Sequence, residues 1–231
     1  MTTRITRIDT LDLTVDETVW PFAQTRRAEI DACFAEAKRE KPQLWNGRVL
    51  LLHRHAIADG VLRGIFLDTD FASFFCWRKW GHPEAGIHDC FAAAAVESFD
   101  GAFLLGVMAP HTANAGHVYF PCGTPDRDDV VEGRVDLNHS VARELEEETG
   151  LAFDALAPEP GWTLVQTGTH MALIKRACAA DTADVLRQKA LDHIANSKRP
   201  ELSGVRLVKS SVDLTPDMPD FVPAFLSHFW R

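Results

Sequence analysis

The residues Arg143–Leu151, RELEEETGL in one-letter code, are the stretch of this 231-residue sequence that decides the fold. If the stretch is helical, Glu144, Glu147 and Glu148 stand at positions i, i+3 and i+4, so their carboxylates share one face. Like charges at this spacing repel each other by about 0.2–0.5 kcal/mol per pair. They also stand in the last turns of the helix, where the macrodipole disfavours negative charge. The arrangement is therefore locally unfavourable unless a cation completes it.

Two readings of this acidic face are open. An acidic helix face is usually just solvated surface, and Arg143 recovers part of the repulsion by pairing with Glu147 at i+4. Alternatively, carboxylate oxygens are the hard ligands that suit Mg²⁺ or Mn²⁺, which proteins share with substrate phosphates. We predict a metal-binding helix from about Leu137 to Thr149, begun by Asp136 as N-cap and ended by Gly150.

The composition limits the partners and the compartment of the protein. A net charge of −9 argues against non-specific binding to nucleic acid, and it means that an anionic substrate needs a local cation or metal. The five cysteines are an odd number without a C-x-x-C pair, which favours reduced thiols and a cytoplasmic protein. We find no apolar signal region at the N-terminus, and the longest apolar stretch, Ala102–Pro110, is too short to span a membrane.

Strand and helix signals along the chain indicate an α+β protein. Asp59-Gly60 and Asp100-Gly101 are predicted hairpin turns between β-rich runs. One helix is predicted over Phe22–Lys41, and another is predicted to begin after Asp70 as its N-cap. The predicted parts are an α/β N-terminal extension (residues 1–88), a main domain (89–215) and a tail segment that packs on the domain (216–231).

The stretch Arg143–Leu151 resembles the C-terminal half of the Nudix box, the signature of Nudix hydrolases. The surroundings agree, since a Phe-Pro-x-Gly-like turn, Phe120–Gly123, precedes the predicted helix, and two strands, a helix and a strand follow it. The resemblance covers about residues 89–215. It implies a Nudix-like α/β/α sandwich with a mixed sheet, and Mg-dependent hydrolysis of a diphosphate linked to another group.

The resemblance also implies roles for individual residues. Glu144, Glu147 and Glu148 are the implied ligands of Mg²⁺ (or Mn²⁺). Glu144 is alternatively a catalytic residue that helps to activate water, and Arg143 is implied to orient the acids. Family members often add an acid from a later loop, and Glu201 occupies a suitable place, although a solvated loop carboxylate is an equally good reading.

The upstream half of the box does not match the family pattern, which is a Gly, five residues, a Glu, seven residues and then the Arg. Counting back from the arginine puts Val135 at the position of the Glu and Asp129 at that of the Gly. If Gly123 is the family's loop glycine, six residues are inserted, in a region that holds the charge-rich run Asp126–Asp129. Glu132 is then a candidate to reach the site from this loop.

The predicted function is Mg-dependent cleavage of a diphosphate linkage in a nucleoside diphosphate derivative, with a nucleotide sugar as one option. The alternatives are a non-catalytic Nudix-like nucleotide-binding module and a structural domain with an acidic surface helix. Leu44–Gly47 weakly resembles an extension found in a UDP-glucose pyrophosphatase-like Nudix branch. We expect a small-molecule diphosphate substrate, no nucleic acid and no membrane as partners, with a homodimer left open.

Overall fold

The computed structural model describes residues 2 to 230, which form strands and helices in the order that follows. The strands are β1 (Thr3–Ile8), β2 (Thr10–Asp16), β3 (Arg48–Ala58), β4 (Val61–Asp70), β5 (Asp89–Glu97), β6 (Phe103–Met108), β7 (Val118–Tyr119), β8 (Cys122–Gly123), β9 (Val130–Val131), β10 (Arg134–Val135), β11 (Ala157–Pro158), β12 (Trp162–Thr167), β13 (His170–Cys178) and β14 (Leu202–Val208). The helices are α1 (Pro21–Thr25), α2 (Arg27–Glu40), α3 (Phe71–Lys79), α4 (Leu137–Thr149), α5 (Ala183–Asn196) and α6 (Phe221–Phe229).

The larger sheet is mixed and has the strand order β1-β12-β13-β5-β6-β14. Strands β13 and β5 run parallel, with Leu173 opposite Ala92, and the other neighbours are antiparallel. The short strands β11, β7 and β8 attach to β13, β6 and β5. Strand β1 pairs with β12, with Ile5 opposite Val165. Residues of the predicted N-terminal extension thus supply a strand to the same sheet as the predicted main domain.

The smaller sheet has the order β3-β4-β2-β10-β9, in which β2 and β4 run parallel. Its β3–β4 hairpin turns at Asp59-Gly60, as predicted, where both residues have positive φ (51° and 73°). Strands β9 and β10 form a second tight hairpin, whose turn is Glu132-Gly133. Strand β10 pairs with β2 through Arg134 and Thr14, so this hairpin extends the smaller sheet.

Alternate side chains of β5 enter two separate cores, as expected for a strand buried on both faces. Cys90 and Ala92 face α4, α5 and the inner side of the smaller sheet. Phe91 and Ala93 face α6, whose Phe225 is buried. The larger sheet is therefore covered by helices on both faces, which is the predicted α/β/α arrangement. Among residues 2 to 230, no helix is long and apolar enough to cross a membrane.

Helices α1, α2 and α3 cover the outer face of the smaller sheet around an aromatic core that includes Trp20, Phe74 and Trp77. The prediction of a single helix over Phe22–Lys41 is wrong, because the chain leaves the helix at Arg26 (φ −107°, ψ 20°). The Arg26 guanidinium lies 4.1 Å from the ring centroid of Trp80, a tertiary contact that the helical pattern does not contain.

Candidate active site

Helix α4 forms as the sequence predicts. The Asp136 carboxylate accepts hydrogen bonds from two backbone N–H groups of the first turn, at 2.9 and 3.1 Å. Gly150 ends the helix at φ 70°, and a Cβ there would lie 2.7 Å from Nδ1 of His193. The apolar side chains of the helix are buried against the larger sheet, namely Leu137, Val141 and Leu145. The acidic face is thereby turned towards the end of β8.

Glu144, Glu147 and Glu148 line a cavity of about 1060 Å³, which Glu201 also lines from the loop before β14. The structure therefore brings together all four acids that the resemblance implies. The Glu147 side chain is 61% exposed at the edge of the cavity, whereas Glu148 is buried. Among residues 2 to 230, no three His, Cys, Asp or Glu side chains already enclose a space that fits a metal ion.

Glu148 is the most strained of these acids electrostatically. Glu148 is 5% exposed, and its Oε2 has no hydrogen-bond partner among residues 2 to 230. Burial raises the pKa of Glu148 well above its ordinary range, and the negative charges of Glu144 and Glu201 raise it further. A buried carboxylate with a free oxygen is a costly group that a cation would stabilise.

Glu144 lies beneath the turn that carries Gly123. A Cβ at Gly123 would lie 2.3 Å from the Glu144 carboxylate, so a larger residue there would push this side chain out of its present position. Burial raises the pKa of Glu144 to about 7, with Arg143 opposing and Glu147 and Glu201 adding to the shift. A carboxyl group with this pKa exchanges a proton near neutral pH.

Arg143 connects the acidic face to the preceding loop. Its guanidinium lies 2.9 Å from Glu144, 3.3 Å from Glu147 and 3.2 Å from Asp129, whose side chain is fully buried. Burial acts to lower the pKa of Arg143, but the acids around it raise the pKa above its ordinary value. Arg143 thus stays charged and fixes the position of two acids of the cavity.

Asp129 occupies a different place in the box from the one that counting back from Arg143 predicts. Five residues separate Gly123 from Asp129, which is the Gly-to-Glu spacing of the family pattern, with Asp in place of Glu. The six additional residues follow it, and they are the hairpin Val130–Val135 formed by β9 and β10. If Gly123 is the family's loop glycine, the inserted residues are thus this hairpin and not the charge-rich run before Asp129. Glu132 is exposed at the hairpin tip, outside the cavity.

The cavity also contains residues that the sequence analysis did not select. Asp89 is buried at the start of β5, with its carboxylate 3.4 Å from Nδ1 of His170. Arg78 reaches the cavity from α3. No local motif marks these residues, because they come from strands and helices that are distant in sequence.

Four strand residues with side chains able to carry positive charge do not line the cavity, namely His53, His55, Lys175 and Arg176. Arg176 forms ion pairs with Glu97 and Glu159, Nε2 of His53 lies 3.3 Å from the Asp16 carboxylate, and the His55 ring packs edge-on against His88. Lys175 donates to a backbone carbonyl oxygen at 3.1 Å and lies over the Trp162 ring. These residues have structural contacts that account for them.

No family model and no curated protein matches the chain, whereas solved structures do. A Nudix hydrolase from M. Smegmatis is 17% identical, with 62% of this chain and 84% of that one covered and a TM-score of 0.41. A putative Nudix hydrolase family member from Chromobacterium violaceum is 19% identical over 62% of this chain and 78% of that one, with a TM-score of 0.40. A Nudix hydrolase from Nitrosomonas europaea is 16% identical over 81% of this chain and 87% of that one, with a TM-score of 0.39. The chain is thus similar to solved Nudix hydrolases at a low level of sequence identity. These matches do not confirm the weak resemblance of Leu44–Gly47 to the UDP-glucose pyrophosphatase-like branch.

Proposed function

We propose that the chain is a metal-dependent hydrolase of the Nudix type that cleaves a diphosphate linkage in a nucleoside diphosphate derivative. The observation that carries the proposal is the buried Oε2 of Glu148, which has no partner within residues 2 to 230 and lies in a cavity shared with Glu144 and Glu201. Folding gains nothing from such a group, since an unpaired buried charge is destabilising. Strongly perturbed carboxyl groups in a cavity are typical of functional sites.

The donor set fits Mg²⁺ or Mn²⁺. Glu144, Glu147 and Glu148 would supply carboxylate oxygens, with Glu201 as an additional acid, and oxygen is the ligand that both ions prefer. A bound dication would offset the mutual repulsion that raises the pKa values of Glu144 and Glu148. Because these acids do not enclose an ion by themselves, water and substrate phosphate oxygens would complete the coordination.

The bound metal would neutralise charge on the diphosphate and make a nearby water more acidic. The Glu144 carboxylate would accept the proton of the attacking water. Arg143, anchored by Asp129, keeps Glu144 in position for this transfer. The water oxygen forms a bond to one phosphorus, and the phosphoanhydride P–O bond breaks with its electron pair on the leaving phosphate. The products are a mononucleotide and a phosphorylated remainder.

The lining of the cavity supports a nucleoside derivative as substrate. Aromatic side chains form a large part of its wall, namely Trp45, Phe71, Phe74, Phe91, Tyr119 and Phe221. Such rings can stack on a nucleobase. A volume of about 1060 Å³ also leaves space for a group beyond the two phosphates, which is consistent with a nucleotide sugar.

The test is a substrate panel of nucleoside diphosphate sugars, dinucleotides, coenzyme A derivatives and nucleoside triphosphates, with Mg²⁺ or Mn²⁺ and identification of the products. We expect cleavage of at least one compound, and Glu148→Gln to reduce turnover by about a hundred-fold or more. Glu146→Gln is the matched control, because Glu146 is exposed on the same helix and lies outside the cavity. No turnover of any compound by the folded protein would overturn the proposal.

A nucleotide-binding module without catalysis is the second candidate. It is favoured by the ion pair that turns Glu144 towards Arg143 and by the absence, among residues 2 to 230, of a closed set of metal-binding side chains. In that case a nucleotide raises the melting temperature and is recovered intact. If α4 is only a surface helix, neither effect occurs.

A further inference from the structure

The cavity is acidic, so the phosphates of a substrate require positive charge from the protein as well as from a metal. Arg78, Arg143 and Arg199 are the arginines that line it. Arg143 is already neutralised by its ion pairs with carboxylates on both sides. Arg199 is exposed on the loop that leads to Glu201. Arg78 is half-buried, and unlike Arg143 it has no carboxylate within 4.0 Å among the described residues.

Arg78 lies in the last turn of α3, in the part of the chain before residue 89. Its guanidinium lies 5.4 Å from the ring centroid of Phe74 on the same helix. Nη2 donates to Oδ1 of Asn114 at 3.3 Å, the one hydrogen bond of this guanidinium within residues 2 to 230. A guanidinium has five N–H donors, so most of its donors remain available for an anion.

Neighbouring residues hold the Arg78 side chain in the cavity. Asn114, which accepts from Arg78, donates through Nδ2 to the Tyr119 hydroxyl at 3.1 Å. The helix behind Arg78 is anchored by Phe74 and Trp77, both buried in the aromatic core. Burial raises the pKa of Tyr119, and the positive charge of Arg78 opposes this shift. The side chain is preorganised instead of free in solvent.

We propose that Arg78 binds phosphate oxygens of the substrate, so that α3 of the N-terminal region completes a phosphate-binding site whose metal-binding wall is α4. The inference rests on the proposed function for its substrate class. A planar guanidinium can bind two oxygens of one phosphate, which an ammonium group cannot do in the same geometry. The proposal also gives the region before residue 89 a role in substrate binding.

The test measures binding of ADP by calorimetry, once in EDTA and once in Mg²⁺, so that it does not depend on turnover. We expect Arg78→Gln to weaken ADP binding by about ten-fold or more in both conditions. Arg78→Lys keeps the charge without the paired donors, and an intermediate loss is expected. The control is Arg187→Gln, because Arg187 is an exposed helical arginine outside the cavity, and its loss should leave binding unchanged.

Three outcomes would overturn the inference: Arg78→Gln binds ADP as the wild type does, Arg187→Gln weakens binding equally, or the wild type binds ADP in neither condition. Melting curves of all variants show whether they are folded, and Arg78→Lys provides the test if Arg78→Gln is not. Cleavage without any dependence of binding on Arg78 leaves the proposed function standing and removes only this inference. Arg78-dependent binding without cleavage removes the hydrolase and keeps the inference.

Discussion

The carboxylates of Asp100 and Glu148 differ in their burial, in their hydrogen bonds and in the charges that surround them. Asp100, in the β5–β6 turn, accepts hydrogen bonds from the Ser98 hydroxyl (2.9 Å), the Ala183 backbone N–H (2.7 Å) and the Lys209 ammonium (2.7 Å). These contacts, with Lys209 first, hold the pKa of Asp100 well below its ordinary range. Glu148 is buried and repelled by neighbouring acids, and in the described part of the chain its Oε2 has no hydrogen-bond partner.

Asp100 in its ionised form stabilises the folded protein, whereas Glu148 in its ionised form destabilises it. Asp100 connects the β5–β6 turn to the start of α5 and to the end of β14. Its ionised form is favoured in the folded state. Glu148 is disfavoured in its ionised form, and only a ligand outside the chain can supply the missing charge. The predictions that follow test this separation.

The largest expected effect is on catalysis. Glu148→Gln should reduce metal-dependent turnover by about a hundred-fold or more, while Asp100→Asn should leave turnover within about two-fold. Steady-state kinetics on the substrate found in the panel measures both. If Asp100→Asn were as damaging as Glu148→Gln, the acids would not be separable into structural and catalytic ones.

Asp129 sharpens the comparison, because it is buried like Glu148 but one of its oxygens, Oδ2, pairs with Arg143 and accepts from the backbone N–H of Asp126. We expect Asp129→Asn to lower the free energy of unfolding by about 2–3 kcal/mol, since it breaks a largely buried ion pair. Turnover should fall by about ten-fold, because Arg143 then no longer fixes Glu144. Urea unfolding and kinetics measure the two effects, and a loss of stability with unchanged turnover would contradict the positioning role.

The free energy of unfolding should depend on pH because Glu144 and Glu148 of α4 have raised pKa values in the folded protein. The pKa of Glu144 is about 7 in the folded protein against an ordinary value of 4.5, and the pKa of Glu148 is raised as well. The unfolded chain therefore loses these protons first, so the metal-free protein loses stability as pH rises from about 4.5 through 7. Glu148→Gln removes part of this slope. The check is urea unfolding in EDTA at several pH values, where identical slopes for both proteins would count against the burial of a strained acid.

The smallest effect is expected for the stability of Asp100→Asn. Its depressed pKa means that the carboxylate stabilises the protein above its unfolded pKa and that this contribution is lost as pH falls through the folded value. We expect a modestly lower melting temperature at pH 7 and a smaller difference from the wild type at pH 3. An unchanged melting temperature at pH 7 would show that the three contacts of Asp100 contribute nothing measurable.

Features with local signals are predictable from this sequence. The cap at Asp136, the end of α4 at Gly150 and the hairpin at Asp59-Gly60 each depend on residues within a few positions of one another. The acidic face of α4 is predictable for the same reason, because helical spacing alone brings its carboxylates together. The sequence could thus place the helix and the acids that α4 presents to the cavity.

Features that depend on contacts between distant residues are not predictable in this way. Strand β1 joins the larger sheet through pairing with β12, about 160 positions along the chain. The partnership of Asp129 and Arg143 is hidden by the hairpin Val130–Val135, which displaces the acid from its usual spacing. Arg78 reaches the cavity only because α3 packs on the smaller sheet. The spacing of residues along the chain does not predict these contacts.

The most direct test of the central claim, that Glu148 is kept unpartnered for a metal, is a Mg²⁺ titration of the substrate-free protein at pH 8. We predict that Mg²⁺ raises the melting temperature of the wild type and of Glu146→Gln but not that of Glu148→Gln. Mn²⁺ should act in the same way. A wild type that is indifferent to both ions, or a Glu148→Gln variant that responds fully, would contradict the account.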